Sequence, residues 1–133
     1  MQTYGVDTSI LVRLLTGDPE PDCSQTVAAL EALLEREPDT HICVSNMVIA
    51  EAYVVVQYHY GVTKAEARSA LLEVLQSGLV EARGGRRVLG VIGAAEKGAG
   101  LVDRLIVDDY QEGGAVTLTH DKKMARLDGA RSL

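Results

Sequence analysis

The sequence predicts an α/β domain built on a parallel sheet. Short apolar runs alternate with stretches of helical periodicity, the pattern of strands each followed by a helix. Nearly half of the 133 residues are hydrophobic (47%), enough to fill a core. No Ser/Pro-rich linker or internal repeat divides the chain, so residues 1–133 are expected to form one domain.

Each element has its own signal. Residues 3–7 read as a first strand and 8–15 as a short helix, with Gly17-Asp18-Pro19-Glu20-Pro21 a loop by its turn chemistry. Residues 24–36 are helical, with Val27, Leu30, Leu33 and Leu34 on one side. Ile42-Cys43-Val44 is a short buried strand, and Ser45 caps a helix that runs to 60 and stops at Gly61. Thr63 and Glu66 form a capping box for the next helix, whose apolar positions are Ala67, Ala70, Leu71, Val74 and Leu75. Residues 79–81 read as a brief strand, 87–97 as a helix, and Gly98-Ala99-Gly100 as a break. The last long helix covers 101–112, a strand follows at 115–118, and the tail ends in an edge strand.

Several function classes fall away on composition. The balance of 13 basic against 19 acidic residues, a net charge of −6, lacks the basic footprint of a simple nucleic-acid binder. It is compatible with carboxylates kept for a metal that itself meets phosphate. No stretch approaches the ~20 apolar residues of a membrane span, and no basic-then-apolar N-terminal signal is present. Cys23 and Cys43 form neither a disulfide framework nor a zinc motif, which fits a cytoplasmic protein. His41, His59 and His120 lack metal-ligand spacing, and the Gly84-Gly85 and Gly98-Ala99-Gly100 pairs lack the context of a phosphate loop.

Four acidic residues need explaining. Asp7 ends the first strand, and Asp121 follows the strand that closes with Thr119-His120. In parallel sheets, ligands gather at such C-terminal strand ends. Glu51 interrupts the most apolar helix, where an unpaired buried carboxylate is costly. Asp103 opens the last long helix, where negative charge is favourable in any case. Alone, each has an ordinary explanation: a helix cap for Asp7 and Asp121, a wet helix edge for Glu51, the helix dipole for Asp103. Together they suggest a cation site, because converging carboxylates repel one another until a hard ion such as Mg²⁺ joins them. Asp108 and Asp109 fall roughly 120–140° around the helix from Asp103 and read as solvated surface charges.

Asp7-Thr8-Ser9-Ile10-Leu11, Ala50-Glu51, Asp103-Arg104-Leu105-Ile106 and Thr119-His120-Asp121 match the motifs of PIN-domain nucleases in order and spacing. More narrowly, the chain resembles VapC-type toxins, which are small proteins of one PIN domain. The resemblance spans essentially the whole chain. It implies a three-layer α/β/α sandwich with a central short parallel sheet, an acidic pocket, and Mg²⁺- or Mn²⁺-dependent hydrolysis of RNA phosphodiesters. Carried over by motif, Asp7, Glu51, Asp103 and Asp121 form the catalytic, metal-holding quartet, supported by Thr8 and Thr119. Arg104 stands where a small residue is usual, and Met124 where an aromatic is usual; neither removes a ligand.

RNA also needs positive groups. Arg86, Arg87, Arg104, Lys122, Lys123 and Arg126 are the candidates, for contacts that hold phosphate without reading sequence. The resemblance further implies a small antitoxin partner and a homodimer, with no membrane association. The absence of an appended RNA-binding domain favours the toxin over a PIN nuclease of RNA maturation or turnover. A non-catalytic binding module on the same fold is disfavoured because all four acidic positions are kept. A receiver-like phosphoryl-transfer domain would want a paired acidic cluster early and a lysine late, which the spacing does not supply.

Overall fold

The computed structural model describes residues 2–133. Strand β1 (Thr3–Gly5) leads into helix α1 (Thr8–Thr16), which ends where Gly17 turns left-handed at φ 70°. Helix α2 (Asp22–Arg36) follows, then β2 (His41–Val44) and α3 (Asn46–Tyr60). Ser45 caps α3 through the Val48 N–H, and Gly61 closes it at φ 68°, a conformation glycine adopts without a Cβ clash. Helix α4 (Lys64–Leu75) begins with the reciprocal Thr63–Glu66 capping box. Then come β3 (Glu81–Ala82), α5 (Arg86–Ala94), α6 (Leu101–Glu112), β4 (Thr117–Thr119), α7 (Lys122–Ala125) and β5 (Ala130–Ser132).

The α/β class holds, with parallel pairing throughout. The ladder is divided between a three-stranded sheet, β1-β2-β3, and a two-stranded one, β4-β5. Thr3 pairs with His41 and Gly5 with Cys43, while Cys43 and Val44 pair with Glu81 and Ala82. The inner face is aliphatic: Leu11, Ile42, Val44, Ile49, Leu71, Val88, Ile92 and Leu101 are fully buried or nearly so. With no Phe or Trp available, γ- and β-branched side chains fill the interior and Tyr53 is the buried aromatic.

Several boundaries differ from the sequence expectation: β1 ends at Gly5 and not at 7, α2 begins at Asp22 and not at 24, and β4 covers Thr117–Thr119 and not 115–118. The third strand begins at Glu81 and not at 79: Glu81 and Ala82 pair with Cys43 and Val44, while Val80 is buried without joining the ladder. Helix α5 stops at Ala94 and not at 97, since the Arg104 guanidinium captures the Lys97 and Ala99 carbonyls at 2.7 and 2.8 Å. The one-turn helix α7 was expected only as a turn or cap, being too short to show periodicity.

Candidate active site

Asp7 stands just past β1 and is the N-cap of α1. Its Oδ1 accepts from the Ile10 N–H at 3.2 Å and from the Ser9 hydroxyl at 2.7 Å. The Ser9 hydroxyl, then the Ile10 amide, hold the Asp7 carboxyl below the usual carboxylate range. Oδ2 takes no hydrogen bond among the described residues. Asp121 repeats the arrangement at α7: its Oδ1 accepts from the Met124 N–H at 2.7 Å, and its own N–H donates to Thr119 Oγ1 at 3.0 Å. The ordinary cap explanation is therefore true of both residues, and it occupies one carboxylate oxygen in each.

Thr8, the first residue of α1, donates its hydroxyl to Glu51 Oε1. Glu51 is exposed on α3 between the fully buried Ile49 and Ala52, so the apolar helix has one wet edge and the carboxylate is not desolvated. Asp103, the third residue of α6, is half-buried. Asp103 and Asp121 line one cavity of about 540 Å³, whose other walls include Tyr53, Tyr58, Lys64, Arg68 and Lys123.

The carboxylates thus fall into two sets of two: Glu51 bonds Thr8, the residue that follows Asp7, and Asp103 and Asp121 line the same cavity. Among the described residues, no three His, Cys, Asp or Glu side chains converge closely enough to hold an ion. The donor chemistry nevertheless suits Mg²⁺, which takes hard oxygen ligands and is commonly held by one or two carboxylates while keeping several waters. Either pair offers that minimum.

The cations divide sharply. Arg87 is committed to partners within the chain: Nε donates to Asp108 Oδ1 at 2.8 Å and Nη1 meets Glu112 at 2.5 Å. Arg104 is spent on the two loop carbonyls. Arg86, Lys122, Lys123 and Arg126 are exposed and form no ion pair among the described residues.

A family model described as PIN domain matches residues 4–130. The chain belongs to the PIN-domain family. PIN domains are generally nucleases, so a hydrolase of nucleic acid is the activity this fold carries. No curated protein and no solved structure matches this PIN domain significantly. Among the described residues, no helix of the PIN domain is long and apolar enough to cross a membrane.

One expectation is corrected. Asp108 is not a solvated surface charge but is buried, at 5% exposure, between Arg87 and Asn46. Asp109 is exposed as expected, yet it too accepts from Asn46 Nδ2, at 2.8 Å. Counting around the helix separated these residues from Asp103 correctly, but it could not show that α3 and α5 cover that face. Sequence reasoning also missed Lys64 and Arg68. Their spacing of four on α4 was the available signal, since it sets both on one face of the PIN domain's capped helix.

Proposed function

We infer that this chain is a divalent-metal-dependent endoribonuclease acting as the toxin of a toxin–antitoxin pair. The observation that carries the reading is the state of the carboxylates. Asp7 and Asp121 each spend one oxygen on a helix cap and keep the other free, and Glu51 is oriented by Thr8.

Asp7, Glu51, Asp103 and Asp121 would hold Mg²⁺ or Mn²⁺. Such an ion, when bound, lowers the pKa of water and offsets charge that develops on a phosphodiester. The protein's part is positional. The cap bonds fix Asp7 and Asp121 on their helix starts, and the Ser9 hydroxyl favours the ionised form of Asp7. Thr8 holds Glu51 toward α1, and Thr119 fixes the backbone of Asp121. The free cations Arg86, Lys122, Lys123 and Arg126 would meet RNA phosphates; Arg87 and Arg104, already paired internally, would not.

A homodimer is supported by apolar side chains left in solvent. Ile106 and Tyr110 on α6 and Leu118 on β4 are exposed, the last by 58%, on two elements that pack together. An antitoxin would block the acidic site with a basic side chain, for which arginine suits paired carboxylates. The second reading, a PIN nuclease of RNA maturation without an antitoxin, shares the chemistry. A neighbouring gene for a small DNA-binding protein would favour the toxin.

The test is cleavage of structured and unstructured RNAs with Mg²⁺, Mn²⁺ or EDTA, with Asp103→Asn in parallel. Metal-dependent cutting that the variant lacks supports the reading. Equal cutting by both proteins would remove Asp103 from the site, and cutting in EDTA would exclude the metal.

A further inference from the structure

The cavity of about 540 Å³ that Asp103 and Asp121 line carries both signs of charge. Glu96, Asp103 and Asp121 bring carboxylates to it; Lys64, Arg68 and Lys123 bring cations. None of these six groups forms an ion pair among the described residues, so the cavity's own acids do not neutralise its bases. In a chain of net charge −6, three unpaired cations beside three carboxylates make this lining locally balanced and leave positive groups open to phosphate. Lys64 and Arg68 lie four apart on α4, hence one above the other on the same face. Tyr58, in the same lining, is 84% exposed, while Tyr53, also in the lining, is buried. An aromatic so exposed on a helix contributes little to the core.

We propose that Lys64, Arg68, Lys123 and Tyr58 form a subsite for one nucleotide of single-stranded RNA next to the cleavage centre. The proposal rests on the nuclease reading above and names how the substrate strand is held. The cations take the phosphates on either side of that nucleotide, and its base stacks on Tyr58. Stacking requires an open base face, which a duplex hides and a single strand offers. The volume is within the roughly 300–1,000 Å³ usual for small-ligand pockets, enough for a nucleotide. The subsite selects single-stranded RNA without selecting sequence, because both phosphate contacts and stacking tolerate every base.

The test is fluorescence anisotropy of a labelled short RNA, single-stranded or as a blunt duplex, with the full chain in EDTA so that nothing is cut. The single strand should bind more tightly than the duplex. Lys64→Ala/Arg68→Ala should weaken that binding about tenfold or more at low salt and flatten the log K against log salt slope by about 1.4. Tyr58→Ala, at a solvent-exposed ring, should weaken it about fivefold or more with the slope unchanged. Lys64→Ala alone, at an exposed position, should take about half the slope change, so a misfolded double variant leaves the proposal testable.

Wild-type binding with affinity and slope unchanged in these variants would overturn the subsite, as would preference for the duplex or no RNA binding at low salt. Tight binding of a polyglutamate peptide that Tyr58→Ala leaves intact would make the wall an acidic-protein surface and also overturn it. Cleavage in Mg²⁺ separates the two readings. Full cutting by the double variant sinks the subsite alone, whereas subsite-dependent binding without cutting sinks the nuclease alone.

Discussion

Asp108 on α6 and Arg87 on α5 form a two-point ion pair, Nε to Oδ1 at 2.8 Å and Nη2 to Oδ2 at 3.2 Å. Asn46 at the start of α3 donates to the same carboxylate at 2.9 Å and to the Leu105 carbonyl at 3.3 Å. One buried carboxylate therefore ties α3, α5 and α6 together.

Its loss should appear in stability. Asp108→Asn should cost about 2 kcal/mol at neutral pH, less than the ~3–5 kcal/mol of a fully buried broken pair. Arg87 is 43% exposed and keeps Glu112, which softens the loss. Urea unfolding measures it, and RNA cleavage per folded molecule should stay within about threefold of wild type.

The same pair sets an acid limit. The Arg87 guanidinium, aided by Asn46 and against the cost of burial, holds the Asp108 carboxyl below the usual carboxylate range. Its contribution is complete above the unfolded value of about 4 and is lost as pH falls through the lower folded value. Wild-type stability should drop steeply below about pH 4, and Asp108→Asn should flatten that part of the curve. Parallel curves for the two proteins would deny the pair this role.

Thr8 offers a test of orientation without removing a carboxylate. Thr8→Val deletes the hydroxyl that donates to Glu51 and keeps the side-chain shape. Cleavage should fall about 10- to 100-fold, the usual effect of losing a group that orients a ligand, with melting nearly unchanged. Thr8→Ser, which retains the hydroxyl, should restore most of the activity.

Thr117 works in the opposite direction. Its hydroxyl is buried on β4 with no partner among the described residues. Thr117→Val should stabilise the protein by about 1 kcal/mol, because an unsatisfied buried hydroxyl is replaced by a methyl of similar size. Thermal melting checks the sign.

Asp7 serves both as a cap and as a proposed ligand, and two substitutions separate the roles. Asp7→Asn keeps the capping oxygen and should retain stability while abolishing cleavage. Asp7→Ala should abolish cleavage and also cost about 1 kcal/mol. Equal stability of the two variants would mean that the cap contributes nothing measurable.

The local elements were largely legible because their signals are local. Ser45, Gly61 and the Thr63–Glu66 box mark helix ends by bonds that close within a few residues, and helix 101–112 stands where its periodicity put it. What escaped were relations between distant segments. Asp108 and Asn46 are 62 residues apart, and nothing in either stretch announces the other. Arg87 and Arg104 read as free cations because their partners lie on other elements or in loop carbonyls. The four acidic positions were visible as anomalies of placement, and their motif order pointed to the PIN family; their grouping into two pairs was not. The aspect of Lys64 and Arg68 toward the cavity depends on the packing of α4 against α3, which one helix's periodicity does not encode.

The central claim is that carboxylates of this quartet hold a divalent ion, and Mn²⁺ binding followed by electron paramagnetic resonance tests it most directly. Wild-type protein should take up Mn²⁺ in competition with Mg²⁺, and Asp7→Asn and Asp103→Asn should each weaken binding by about tenfold or more while circular dichroism stays unchanged. Equal Mn²⁺ affinity in wild type and both variants would contradict the account, and would leave Asp7 as a helix cap alone.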